Sequence, residues 1–138
     1  MSLEIEQHGH DGVAVVALNG RLTLGGEVET FRDQMEALLA SGQTRVALDL
    51  REVDYIDSSG LGCLVLLHTR AEKAGGVVVL FGLRQRQIEL MIVTKLATLF
   101  RLAENEMDAV NACFPGREVK TFDILSFVSS LKKDGGAA

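Results

Sequence analysis

The fold of this chain is decided by residues 46–62, which read Val-Ala-Leu-Asp-Leu-Arg-Glu-Val-Asp-Tyr-Ile-Asp-Ser-Ser-Gly-Leu-Gly. The apolar start, Val46–Leu50, predicts a buried strand, and a short polar turn is expected after it. An apolar helix is predicted from Leu61 onward, so Asp57-Ser58-Ser59-Gly60 falls at a helix start. Free backbone N–H groups and the positive end of the helix dipole favour a negative group there. A serine in this place is well suited to carry a phosphate.

Length and composition are those of an ordinary soluble domain. The 138 residues fit one domain, with 47% hydrophobic and 24% charged residues. A net charge of −5 and the lack of a basic cluster argue against a nucleic-acid partner. The longest wholly apolar runs, Cys63–Leu67 and Val77–Phe81, are far shorter than the roughly 18 residues of a membrane helix, so no membrane partner is expected. Two cysteines and no secretory signal favour the cytoplasm.

Strand and helix patterns alternate along the chain. Beside Val46–Leu50, apolar runs predict strands at Val13–Leu18 and Val77–Phe81, and a short last strand at Phe100–Leu102. Helical spacing of apolar residues predicts the following helices: Glu27–Ala40, Leu61–Lys73, Gln85–Leu99 and Met107–Phe114. The pattern indicates a single α/β domain with a sheet that is largely parallel in its centre.

A further helix is predicted after the only proline, Pro115. Apolar residues recur there at helical spacing, at Ile124, Phe127, Val128 and Leu131, and the chain ends in Gly135-Gly136-Ala137-Ala138. Residues 115–138 are therefore expected to be a helical C-terminal extension with a disordered tail.

The central motif resembles that of the STAS domain (sulfate transporter and anti-sigma factor antagonist). Residues 53–62 match it almost letter for letter, Gly20-Arg21-Leu22 resembles the family's Gly-x-Leu turn, and Gly75-Gly76 resembles its break before the next strand. The resemblance covers roughly residues 3–114, and the domain is expected to span residues 1–114. It implies a small mixed β-sheet with helices packed mainly on one face, to which the C-terminal extension adds a helix.

Within that family the chain looks most like the free-standing bacterial anti-sigma factor antagonists. The resemblance implies binding to an anti-sigma factor that is also a serine kinase using ATP, phosphorylation of Ser58 by that kinase, and a phosphatase that resets the switch. Ser59 then serves as a helix-start hydroxyl. The residues implied in partner binding are Asp57, Ser58, Ser59, Gly60, Leu61 and Thr23. An unphosphorylated scaffold or interaction module, stressosome-like or in another signalling complex, is the alternative.

Elementary electrostatics explains why a serine at a helix start suits such a switch. A phosphate adds about −1.5 to −2 charges and three acceptor oxygens. The helix start is expected to accommodate that charge within the domain itself. A docked partner must instead desolvate it beside Asp57, which weakens the complex. Gly60 and Gly62 are expected to keep the loop free of bulk, so that a kinase can approach.

Other chemistry has weaker support in the sequence. Asp57-Ser58-Ser59-Gly60 is also what simple helix capping looks like. Neither Gly-x-Ser-x-Gly nor a phosphate-binding Gly-x-x-x-x-Gly-Lys loop is present, so no enzyme is expected. His8 and His10 have no further ligand nearby in sequence, which favours an exposed turn over a metal site. Neither a cofactor nor a metal is predicted.

Two further side chains on the predicted helix Leu61–Lys73 have unremarkable interpretations. His68 is expected to be a hydrogen-bonded or boundary histidine rather than a catalyst, and Cys63 a small buried hydrophobe. Glu4, Glu6, Asp54 and Asp57 are expected to be solvated surface acids.

Deleting the extension tests whether its apolar stripe is buried. We expect truncation after Pro115 to lower stability by about 2 kcal/mol or more, or to change the oligomeric state, because the stripe packs on the domain or on a second copy. Urea unfolding and sedimentation measure both, and removal of the last four residues alone is the control. Unchanged stability and unchanged sedimentation after the long truncation contradict the prediction.

Overall fold

The structure, a computed structural model, describes residues 3–117. Its elements are β1 Glu4–His10, β2 Val13–Leu22, α1 Gly26–Ala40, β3 Arg45–Ile56, α2 Ser58–Lys73, β4 Val77–Phe81, α3 Gln85–Val93, β5 Arg101–Ala103 and α4 Glu106–Ala112. The five strands form one sheet in the order β1-β2-β3-β4-β5. β1 is antiparallel to β2, and every later pair is parallel. The predicted last helix and tail lie outside the described residues.

Helices cover the two faces of the sheet unequally. α1, α2 and α3 pack on one face, where Phe31, Leu64 and Met91 join strand residues in the larger core cluster. Among the described helices, only α4 packs on the other face, with Ala109 and Val110 against the strands. The predicted mixed sheet with helices mainly on one face is confirmed. β4 is the fully covered central strand that its aliphatic run predicted, because alternate residues enter the two clusters.

The polar turn predicted inside residues 46–62 is wrong. β3 continues to Ile56 and pairs with β2 as far as the Leu22–Ile56 partners. Val53 and Ile56 are buried while Asp54 and Tyr55 between them are exposed, so polar side chains here face outward from a strand. The predicted Gly-x-Leu turn is wrong for the same reason, because Gly20 to Leu22 are the end of β2.

β1 is a strand that the sequence did not predict, and the exposed turn expected for His8 and His10 is wrong. The turn is Asp11-Gly12, whose φ angles of 53° and 79° are both positive, as a tight two-residue hairpin requires. Both histidines lie on β1, and the Oε2 oxygen of Glu106 on α4 lies 3.0 Å from His8 Nε2 and 2.7 Å from His10 Nδ1.

α3 is shorter than the predicted Gln85–Leu99. The helix ends at Val93, and Lys95 adopts a φ of 63°. The N–H groups of Leu96 and Ala97 then both donate to the carbonyl of Met91, which closes the helix end. Ile92 and Leu96 share helical spacing, so periodicity did not reveal the stop.

Candidate functional site

Asp57 joins three segments of the chain at the start of α2. It is the N-cap residue, and its Oδ1 accepts a hydrogen bond from the Gly60 N–H at 2.8 Å. Its Oδ2 accepts a second one from the Leu24 N–H, also at 2.8 Å, in the loop between β2 and α1. The backbone N–H of Asp57 donates to the Leu22 carbonyl at the end of β2. Asp57 is thus more than the surface acid expected from sequence.

The hydrogen bonds to Asp57 also fix its charge. The N–H groups of Leu24 and then of Gly60 hold the pKa of the Asp57 carboxyl below its usual value. The carboxylate form is favoured because both oxygens accept hydrogen bonds that a protonated acid cannot keep in full. A fixed negative charge therefore lies directly before Ser58.

Ser58 and Ser59 differ in accessibility. Ser58 is the first residue of α2 and is exposed, whereas Ser59 is half-buried. A visiting active site reaches the Ser58 side chain without unfolding the helix. The position of Ser58 suits the phosphorylation that the sequence predicts, which stays a prediction.

Gly60 and Leu61 are buried, which gives Gly60 a different role from the open loop expected for it. A Cβ on Gly60 would lie 2.2 Å from the Leu22 carbonyl oxygen, so glycine permits α2 to pack against the end of β2. Leu61 is 6% exposed and belongs to the core. Gly60 and Leu61 thus hold the start of α2, which carries Ser58, against the core. At Gly62 the same added carbon meets nothing within 4 Å.

The loop after β2 brings Thr23 and Leu24 to the site. Thr23 is half-buried and lies next to Leu24, whose N–H binds Asp57. Leu24 is 77% exposed, so it presents an apolar side chain to solvent on the loop whose backbone binds Asp57, the residue before Ser58. Sequence reasoning named Thr23 but missed Leu24, although a leucine directly before Gly25-Gly26 was a usable signal.

A cleft lies beside the end of β3, on the side of α3. It encloses about 320 Å³, and its lining residues include Tyr55, Leu90 and Val93. Tyr55 and Val93 are among the exposed large hydrophobic side chains, and the Arg21 guanidinium lies 5.7 Å from the centroid of the Tyr55 ring. Exposed apolar surface therefore continues from the cleft towards the strand end that precedes Asp57.

Within residues 3–117, the other reactive side chains do not assemble a catalytic group around Ser58. His68 lies ten residues later on the same helix, about 15 Å along its axis. It is buried with its ring edge towards Phe100, its Nε2 lies 3.7 Å from Glu72 Oε1, and its Nδ1 has no hydrogen-bond partner in the described structure. The expected polar pairing of His68 is thus found at one ring nitrogen and not at the other. Burial raises the pKa of the Cys63 thiol, which keeps it protonated, and Cys63 is the buried residue expected.

The described part of the chain has neither a metal-binding cluster nor a helix that could span a membrane. Residues 3–117 contain no group of three or more histidine, cysteine or acidic side chains arranged to hold a metal ion. None of the helices in the same range combines the length and the hydropathy needed to cross a membrane.

A sequence model of the family described as "Mlab, STAS domain" matches residues 5–103, and thus most of the chain. The chain belongs to the STAS domain family. The matched range runs from β1 to the end of β5 and includes the Asp57-Ser58-Ser59-Gly60 helix start, so the resemblance seen in the sequence is confirmed.

Individual STAS proteins agree with this assignment. The anti-sigma-B factor antagonist of Listeria monocytogenes is 27% identical over 119 residues, which cover 81% of this chain and 98% of that protein. An anti-sigma factor antagonist from Mycobacterium paratuberculosis has a similar fold, with a TM-score of 0.72 and 22% identity, over 80% of this chain and 93% of that one. The phosphorylated form of the Bacillus cell fate determinant SpoIIAA has a TM-score of 0.63 and 19% identity, over 79% and 98% of the two chains.

The two glycines of α2 give a matched pair of substitutions. Gly60→Ala is expected to destabilise this STAS domain by about 1–3 kcal/mol, because the new methyl group overlaps the Leu22 carbonyl. Gly62→Ala is expected to be neutral or stabilising by up to about 1 kcal/mol, because the site is open and alanine favours the helix. Urea unfolding measures both, and equal effects of the two substitutions contradict the packing role of Gly60.

Asp57→Ala is expected to reduce stability by about 1 kcal/mol at neutral pH, through loss of the N-cap. A carboxyl with a lowered native pKa stabilises the fold above its unfolded pKa, and the effect is lost as the pH falls through the native value. The difference between wild type and Asp57→Ala should therefore shrink below about pH 4. Urea unfolding over a pH series measures this.

The comparison of variants is needed because Asp49 and Glu106 also have lowered pKa values and contribute to the acid sensitivity of the wild type. Asp54→Ala is the control, since Asp54 is exposed with its carboxylate 3.6 Å from Arg84, and we expect a change within about 0.5 kcal/mol. A destabilisation by Asp57→Ala that stays constant down to low pH refutes the role given to the charge.

Proposed function

We propose that this STAS domain is an anti-sigma factor antagonist switched by phosphorylation of Ser58. The unphosphorylated chain binds an anti-sigma factor that is also a serine kinase, and this binding frees a sigma factor. The kinase transfers phosphate from ATP to Ser58, the complex dissociates, and a phosphatase restores the serine. The chain itself is a substrate and a binding module in the cytoplasm, and it acts on transcription indirectly.

The observation that carries the proposal is the exposed Ser58 side chain on a rigid helix start. A kinase must place a hydroxyl in line with the phosphate of ATP, which requires an acceptor that its own active site can surround. Ser58 meets this requirement, because the Asp57 carboxylate before it accepts hydrogen bonds from the N–H groups of Leu24 and Gly60, while Ser58 itself is exposed to solvent.

A phosphate on Ser58 would not have the start of α2 to itself. The Gly60 N–H, one of the free donors at the start of α2, already donates to Asp57. A phosphate on Ser58 would thus share the helix start with a fixed carboxylate and would project towards solvent. A partner docked on this surface would have to desolvate both negative groups. Each 1.4 kcal/mol of that cost lowers the affinity about tenfold.

Leu24 and Thr23 supply the other half of the proposed binding surface. Leu24 is a large exposed side chain on the loop that binds Asp57, and burying it against a partner would contribute about 1.5–3 kcal/mol. The partner surface therefore combines an apolar contact at Leu24 with sensitivity to charge at Ser58.

The relatives support the same function. The Listeria monocytogenes protein is named an anti-sigma-B factor antagonist, and one solved neighbour is described in its phosphorylated form. We extend both properties to this chain, with Ser58 as the acceptor.

Three serine variants test the switch against the purified anti-sigma factor kinase of the same organism. With ATP, we expect the wild type and Ser59→Ala to gain the mass of one phosphate and Ser58→Ala to gain none. Without ATP, Ser58→Ala should bind the kinase like the wild type, and Ser58→Glu should bind at least about tenfold more weakly, because it adds a charge beside Asp57. Intact-mass spectrometry and calorimetry give these results.

Two outcomes decide against the proposal. A wild type that binds the kinase but takes up no phosphate favours the unphosphorylated scaffold or interaction module. Phosphate on Ser59 in the Ser58→Ala variant, at the wild-type rate, refutes the choice of acceptor.

A further inference from the structure

β1 is the free edge of the sheet. β2 is its only strand neighbour within the described residues, and β1 is exposed along most of its length. The two-residue hairpin turn closes on the His10–Val13 pair, so the even-numbered residues of β1 exchange backbone hydrogen bonds with β2. The N–H and C=O groups of the odd-numbered residues Ile5, Gln7 and Gly9 therefore point away from the sheet.

Acidic side chains lie at one end of β1 and histidines at the other. Successive residues alternate between the two faces of a strand, so the even-numbered residues share one face. On that face Glu4 and Glu6 occupy the first half of β1, and His8 and His10 occupy the second half. A strand with acids at one end and histidines at the other is complementary to its own antiparallel copy.

We propose that a second copy of this chain pairs with β1 in antiparallel orientation, centred on Gln7. The backbone groups of Gln7 then bond to Gln7 of the second copy, and those of Ile5 bond to Gly9. Glu6 lies opposite His8 and Glu4 opposite His10, in the non-hydrogen-bonded positions where antiparallel side chains approach most closely. The two sheets join into one continuous sheet of ten strands.

This register is selected by charge. A shift by two residues in one direction places Glu6 opposite Glu6 of the second copy, and a shift in the other direction places His8 opposite His8. Only the register centred on Gln7 gives every acid a histidine and leaves no like pair. Like charges directly opposite each other are destabilising, so the alternative registers are disfavoured.

The two histidines retain the capacity for these contacts. Each uses one ring nitrogen towards Glu106, and their side chains are 55% and 36% exposed. Charged side chains on an edge strand often serve only to prevent pairing. Side chains of like charge prevent pairing because they repel each other across the two strands. On β1 the acids and the histidines are instead arranged so that each acid meets a histidine of the second copy.

The interface is small, which makes the dimer weak and reversible. A seven-residue strand edge offers less than the area of a standard stable interface. We therefore expect a concentration-dependent equilibrium between monomer and dimer. This inference does not depend on the proposed function, because neither Ser58 nor Leu24 belongs to the edge.

A symmetric cysteine detects the register directly. In the proposed pairing the two Gln7 Cα atoms are about 5.5 Å apart, within the range that a disulfide spans. Mild oxidation of full-length Gln7→Cys should give a disulfide-linked dimer. Gln34→Cys, on the exposed surface of α1, should give at least tenfold less, and the native Cys63 and Cys113 are buried. Equal yields from the two variants overturn the proposal.

A charge substitution tests the same interface without cross-linking. Glu6→Lys places a cation opposite His8 and should weaken dimerisation at least about tenfold, as measured by analytical ultracentrifugation of the full chain. Asp33→Lys makes the same charge change on α1 and should leave dimerisation unchanged. A wild type that stays monomeric at all concentrations overturns the proposal. A dimer that survives Glu6→Lys but is lost on truncation after Pro115 also overturns it, and assigns the contact to the C-terminal extension.

Discussion

The carboxylate of Asp57 is the constraint on which the site depends. One oxygen holds the first turn of α2 through Gly60, and the other holds the loop after β2 through Leu24. The backbone of the same residue is tied to Leu22. The start of α2, the loop after β2 and the end of β2 thus meet at Asp57. These contacts also fix the position of the exposed Ser58 next to it. Because the bonds to the carboxylate are to backbone N–H groups, they define the path of the chain whatever side chains surround it.

This arrangement separates the stability of the domain from the chemistry of its surface. Ser58 contributes its backbone to α2 and is exposed to solvent, whereas Gly60 and Leu61 in the same helical turn are buried. In the proposed function, a phosphate on Ser58 would therefore act first on a partner docked there. The Asp57 carboxylate would keep its capping charge with or without a phosphate on Ser58, since the hydrogen bonds that lower the pKa of that carboxyl come from the backbone. A binding surface can be altered in this way without unfolding what presents it.

The sequence predicted those parts of the fold that depend on periodicity and failed where distant segments decide the structure. The aliphatic run Val77–Phe81 and the helical stripe of α1 were recognisable because burial imposes a period on side chains. β1 has a single large apolar residue, Ile5, among Glu, Gln, His and Gly, so it shows no apolar alternation, and pairing with β2 makes it a strand. The role of Gly60 was missed because the Leu22 carbonyl that excludes a larger residue lies 38 positions earlier in the chain. Leu24 was missed because its partner Asp57 is 33 residues away.

β2 is the strand that connects the two surfaces described above. One of its long sides pairs with β1, and its C-terminal end leads into the Thr23–Leu24 loop that Asp57 holds. Ser58 follows β3, and β2 separates β3 from the free edge of β1. Strands within a packed sheet do not slide freely, because a one-residue shift would turn buried side chains to solvent. A contact at the edge of β1 therefore leaves the Ser58 helix start in place. A dimer paired through β1 would present two separate Ser58 side chains, each able to bind its own partner.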